Sequence, residues 1–102
     1  MTEIGPGTAM TDAGMRHDLQ AHRFAIDIDG VEGHLDYVLD DGGVMRITHT
    51  VVPSAIGGRG IAGLLVRAAL DHARNAGLKV VPRCSYADAW MRRHPGYEDL
   101  RA

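Results

Sequence analysis

A chain of 102 residues, 45% of them apolar, supports one domain around one modest core. Its net charge of −2, with both signs mixed along the chain, argues against a general nucleic-acid or membrane-surface partner. No apolar run is long enough for a membrane span or a signal-peptide core. The single cysteine, Cys84, excludes an internal disulfide and fits a cytoplasmic location.

In chain order, residues 1–18 are rich in Gly, Thr and Met and have no sustained periodicity. They are expected to form a flexible tail ahead of a domain over 19–102. Arg23 to Asp29 alternates apolar and polar residues through Phe24, Ile26 and Ile28, and Asp29-Gly30 closes it as a strand ending in a turn. The alternation repeats through Leu35, Tyr37 and Leu39 before the strong turn signal Asp40-Asp41-Gly42-Gly43. A third strand over 44–52 places Met45, Ile47, His49 and Val51 on one face. A helix is expected over 59–76, because Ile61, Leu64, Leu65, Ala68, Ala69 and Ala73 keep helical spacing and Gly77 suits its end. A short strand over 78–81 follows, ended by Pro82. Ser85, with Asp88 three residues on, reads as the N-cap of a second helix that Pro95 breaks. The order β-β-β-α-β-α predicts an α+β fold, a mixed sheet flanked by helices.

Between the third strand and the first helix lies Gly57-Gly58-Arg59-Gly60-Ile61-Ala62-Gly63. Such a loop presents free N–H groups and the positive end of a helix dipole, which suits a phosphate. The P-loop pattern fails, because Leu64 and Leu65 stand where Lys and a hydroxyl residue are required. The dinucleotide pattern G-x-G-x-x-G is present as Gly58, Gly60 and Gly63. Yet the next strand, Lys79-Val80-Val81, runs into Pro82-Arg83 with no acidic residue, so a nucleotide binder is the weakest of three readings.

Several further segments carry a resemblance. They are Ile47-Thr48-His49-Thr50 before the loop, Val80-Val81-Pro82-Arg83-Cys84-Ser85-Tyr86 after it, and the run from Trp90 through His94-Pro95-Gly96-Tyr97. In this order they resemble the small single-domain (YjdJ-type) branch of the GNAT N-acetyltransferases over about residues 22–100. The resemblance implies a minimal GNAT-like fold that binds acetyl-coenzyme A through a pyrophosphate loop of pattern R/Q-x-x-G-x-G/A. Gly57 holds the first position of that pattern, where the family has Arg or Gln, and Val51 stands where many relatives carry Glu.

Acetyl transfer needs an anchored pyrophosphate, a polarised thioester carbonyl and an amine that loses a proton. Gly57, Gly58, Arg59, Gly60, Ile61 and Ala62 are the expected cofactor anchor. The backbone around Val51 and Val52 is the expected partner of the thioester arm, with the edge of Tyr86 turned toward the cleft. Cys84 precedes a helix N-terminus, where a thiolate is favoured. It is either an acyl-accepting nucleophile or a small residue lining the thiol pocket. His49 is either a hydrogen-bonded core residue or a proton-transfer group. The histidines and Cys84 show no metal-ligand spacing, so no metal is expected. The expected function is transfer of acetyl from acetyl-CoA to a small-molecule or protein amine. The departures at Gly57 and Val51 keep open a non-catalytic acyl-CoA-binding or sensing module of the same fold.

Overall fold

The structure is a computed structural model that describes the backbone of residues 8–10 and all of residues 14–102. Six strands form one sheet in chain order: β1 (Thr8–Met10), β2 (Arg16–Asp18), β3 (Arg23–Ile28), β4 (Val31–Leu39), β5 (Val44–Val51) and β6 (Lys79–Pro82). Neighbours from β1 to β5 are antiparallel, while β6 joins β5 in parallel after a crossover through helix α1 (Ile61–Ala76). Helix α2 (Ser85–Arg93) and a 3-10 segment, Pro95–Leu100, complete the chain. The expected α+β mixed sheet with helices is present, and the expected order is that of β3-β4-β5-α1-β6-α2.

The alternation seen in the sequence sets which side each strand buries. Phe24 and Ile26 of β3 lie with Leu35 and Tyr37 of β4 in the core, and the register pairs Phe24 with Leu35. Ile28 pairs with Val31, so Asp29-Gly30 is a two-residue hairpin loop, and both residues have positive φ as a type I′ turn requires. Over this face α1 buries Ile61, Leu65, Val66, Ala69, Leu70 and Ala73, and α2 adds Ala87, Trp90 and Met91 to the same core. Removing these side chains from water is the main driving force for docking the helices. Gly77 ends α1 in the left-handed conformation, its N–H bonded to the carbonyls of Ala73 and Arg74.

Among the described residues the opposite face carries no helix. It is held by ion pairs between strands: Arg16 with Asp27 and Glu32, and Arg23 with Asp36 at 2.7 Å. Glu32, His34 and Asp36 alternate along β4 with the buried Gly33, Leu35 and Tyr37 and so share this open face.

Two expectations are corrected. The flexible tail was expected to reach residue 18, but Met15 is buried and Arg16–Asp18 forms β2, paired with β3. Residues 8–10 form β1, and the part of that expectation covering 1–7 and 11–13 lies outside the described residues. Three paired residues are too few for alternation to register beside a Gly-rich stretch. The second correction concerns β5. Its ladder with β4 shifts between Asp36 and Tyr37, so that Tyr37 pairs with Ile47 but Asp36 pairs with His49. Thr48 is the extra residue of a β-bulge. Beyond it every side chain changes face. Met45 and Ile47 are fully buried, whereas His49 is exposed and Val51 is 43% exposed. His49 and Val51 therefore lie on the open face, away from Met45 and Ile47.

Candidate functional site

The site begins where β5 and β6 part. The two strands run together to the Ile47–Pro82 pair, and the Ile47 carbonyl accepts from the N–H groups of both Arg83 (2.9 Å) and Cys84 (3.1 Å). Pro82 then ends β6, while β5 continues through Thr48 to Val51 with only β4 beside it. The result is a V-shaped opening between parallel strands. The bulge turns Thr50 inward, opposite Leu35, and the half-buried Cys84 donates its S–H to Thr50 Oγ1 across the opening at 3.5 Å.

Cys84, rather than the expected Ser85, is the N-cap of α2, and Ser85 opens the helix. The backbone supplies the reason. Asp88 N–H bonds to the Cys84 carbonyl at 3.1 Å, which makes that peptide the first turn of the helix. The Asp88 carboxylate pairs with Arg101 and Arg92, and its bond with Arg101 holds it below the usual carboxylate range.

At the mouth of the V stands the N-terminus of α1. After a 3-10 turn over Ser54–Ile56, Gly58 and Gly60 take φ values of 76° and 73°, which place the chain at the start of the helix. The first helical bond is Leu64 N–H to the Gly60 carbonyl at 3.2 Å. Among the described residues the N–H groups of Gly58 through Gly63 have no acceptor. No side chain caps this helix, and no acidic residue lies in its first turn. That combination fits a pyrophosphate: free donors, a positive dipole end and no carboxylate in the first turn. A Cβ added at Gly58 or Gly60 would meet open space, so these two glycines are needed for their φ values and not for want of room.

The expected anchor residues divide accordingly. Gly58, Gly60, Ile61 and Ala62 present free backbone donors. Gly57 does not, because its φ is −67° and its N–H is spent on the Ser54 carbonyl at 3.1 Å. Arg59 is half exposed at the rim and pairs with Asp29 of the β3–β4 turn at 3.0 Å. The Val51 carbonyl lies 3.6 Å from where a Gly33 Cβ would stand, and Val52 is partly buried against the core. Tyr86 and Trp90 close over Gly63, where a Cβ would come within 3.4 Å of the Tyr86 hydroxyl and 3.2 Å of Trp90 Nε1. Gly63 thus serves the packing of α2 on α1 rather than the ligand loop.

The two expected catalytic residues are on opposite sides of the sheet. Cys84 faces the helix side with Thr50, whereas His49 faces the open side, its Nδ1 3.2 Å from Thr48 Oγ1. Glu32, His34 and Asp36 were not expected near the site. His34 lies 3.7 Å from Asp36 and 3.9 Å from Glu32, and it pairs with Val51 in the ladder. Their polar alternation with Gly33, Leu35 and Tyr37 was the signal that could have placed them on that face. Among the described residues no group of three or more His, Cys, Asp or Glu side chains is arranged to hold a metal ion, and no helix is long and apolar enough to cross a membrane.

Comparison with known proteins bears on the fold and the family. The mouse protein NATD1 is 30% identical over 100 residues, 93% of this chain and 91% of its own length. Chicken NATD1 is 30% identical over 83 residues, 79% of this chain and 76% of its own. The solution structure of a GCN5-like protein from Staphylococcus aureus superposes with a TM-score of 0.70 at 26% identity, covering 91% of each chain. The family model described as GCN5-related N-acetyl-transferase matches residues 23–100, from the start of β3 to the end of the last 3-10 segment. The chain belongs to the GCN5-related N-acetyl-transferase family.

Proposed function

We propose that this protein is an acetyl-CoA-dependent N-acetyltransferase acting on a small-molecule or protein amine. One observation carries the reading: an uncapped helix N-terminus with free donors opens directly onto a V whose helix side holds Thr50 and Cys84 and whose open side holds His49. The donors from Gly58 to Ala62 bind the pyrophosphate of acetyl-CoA, with Arg59 leaving Asp29 to add charge at the rim. The acyl arm enters the V, where β5 beyond the bulge has backbone groups without a strand on that side to polarise the thioester carbonyl. The amine arrives from the open face and gives its ammonium proton to His49. The neutral nitrogen attacks the carbonyl, the C–N bond forms, the C–S bond breaks, and the coenzyme A sulfur takes the second proton from the nitrogen.

In this scheme Cys84 lines the thiol pocket, since its S–H is directed at Thr50. A second reading, a non-catalytic acyl-CoA-binding module, is favoured by the apolar Val51 at the end of β5, which offers no carboxylate on the open face. Release of free thiol from acetyl-CoA with a panel of amines, followed by intact mass of both amine and protein, tests them. Acetylated amine without an acetyl-protein adduct supports direct transfer. An adduct on Cys84 that passes to the amine makes the cysteine the carrier. Binding without thiol release for any amine leaves the sensing module.

A further inference from the structure

The β-bulge does more than turn His49 outward. In a regular strand consecutive side chains point to opposite faces and cannot meet. Thr48 and His49 together oppose the single residue Asp36, and their side chains do meet. Thr48 Oγ1 is 3.2 Å from the Asp36 carbonyl oxygen and 3.2 Å from His49 Nδ1. A carbonyl only accepts, and a hydroxyl has one proton to give. The Thr48 proton therefore goes to Asp36 O, and the lone pair that Thr48 Oγ1 keeps accepts from Nδ1–H of His49. The Asp36 carboxylate is bonded to Arg23 at 2.7 Å and 3.3 Å, and the His49 ring bonds to Thr48 instead.

We propose that Thr48 is a positioning residue that fixes His49 as the Nδ1–H tautomer, so that Nε2 faces the open side of the sheet as the proton acceptor for the incoming amine. A neighbouring donor or acceptor that sets a histidine's tautomer is a general device for orienting such a ring. The proposal rests on the acyl-transfer reading for the identity of the proton donor, while the tautomer itself is a property of the free protein. It also places the acceptor's approach opposite the helices, on the face where Glu32 and Asp36 stand. In the step concerned, one N–H bond of the ammonium breaks and one Nε2–H bond forms. The proton then leaves to solvent, and Thr48 and Nδ1 keep their protons throughout.

The long-range proton–nitrogen correlation spectrum of the full nitrogen-labelled chain, at mildly alkaline pH, reports which ring nitrogen carries the proton. The wild type is expected to show His49 with Nδ1 protonated and Nε2 bare. Thr48→Val keeps the branched shape but deletes the hydroxyl, and should move the ring toward the Nε2–H form. Thr48→Ser should restore the wild-type pattern. Amine acetylation should fall roughly tenfold in Thr48→Val and recover in Thr48→Ser, with coenzyme A affinity unchanged in both. A wild-type spectrum with Nε2–H, which needs no variant to fold, overturns the proposal, as does a Thr48→Val spectrum identical to wild type. A wild type that shows the Nδ1–H tautomer but acetylates no amine supports the positioning by Thr48 and overturns the acetyltransferase reading alone.

Discussion

Two strand histidines, His17 and His49, meet opposite conditions at different places in the same sheet. His17 on β2 is buried under α1, stacked on Phe24 at 3.9 Å, edge-on to His72 at 4.4 Å and bonded through Nε2 to the Tyr37 hydroxyl. Burial, with the nearby His72 second, pushes its pKa down to about 4, and burial likewise pushes Tyr37 up to about 12. His49 stands on the uncovered face beside Asp36 and Thr48, with one ring nitrogen free. What separates the two histidines is which face each occupies and whether a helix lies over that face. The expectation that His49 is a hydrogen-bonded core residue does not hold, because the bulge at Thr48 places it on the open face; the core histidine is His17.

The contrast can be broken by mutation. His49→Gln should lower amine acetylation about 10²-fold or more while coenzyme A affinity and Tm stay close to wild type. His17→Gln should do the reverse, lowering Tm through lost packing on Phe24 and His72 with little effect on kcat at temperatures where the domain is folded. A loss of turnover in His17→Gln without destabilisation would dissolve the distinction.

Acid should weaken the His17 region selectively. The folded protein holds His17 neutral down to about pH 4, whereas the unfolded chain takes up the proton near the ordinary histidine value of 6.5. Between these values the unfolded state binds more protons. The stabilisation is therefore complete above 6.5, is lost as the pH falls toward 4, and changes no further below that. Burial lowers His72 as well and adds to the same limb. For His17 alone this amounts to about 3 kcal/mol. Urea titrations across this range check it, and His17→Phe should flatten the acid limb.

Smaller effects belong to the glycine loop. Gly60→Val would force a β-branched residue to a φ of 73°, at a cost of about 1–2 kcal/mol, and should displace the free N–H groups enough to weaken coenzyme A binding more than it lowers stability. Arg59→Ala should weaken binding only a few-fold and reduce its salt dependence, because the side chain is half exposed. Calorimetry at two salt concentrations separates these outcomes. Unfolding by Gly60→Val would make the loop structural rather than ligand-binding.

The sequence made the frame legible and hid the details that aim the chemistry. Alternation at Phe24-Ile26 and Leu35-Tyr37, the Asp29-Gly30 and Asp40–Gly43 turns, and the helical spacing closed by Gly77 were enough for the order of the main strands and helices. β2 was missed because Arg16-His17-Asp18 is short and its partner lies across a turn. The face of His49 was misjudged because alternation assumes two residues per repeat throughout, and nothing about Thr48 as a residue type announces an inserted position. Ser85 looked like the cap because hydroxyl residues usually fill that place, yet the backbone of Cys84 does so here. The glycines made the turn into the α1 N-terminus legible, but Gly63 is a packing contact visible only once α2 is laid on α1.

The most direct test of the account is a coenzyme A titration followed by backbone amide shifts in solution. Binding at the V predicts shifts centred on Gly58, Gly60, Ile61 and Ala62, with Thr50 and Cys84 responding to the thiol end. His17, Phe24 and His72 should stay unchanged. No response at about millimolar ligand, a free energy near −4 kcal/mol, or shifts centred on the His17 region with the α1 N-terminus silent, would contradict it.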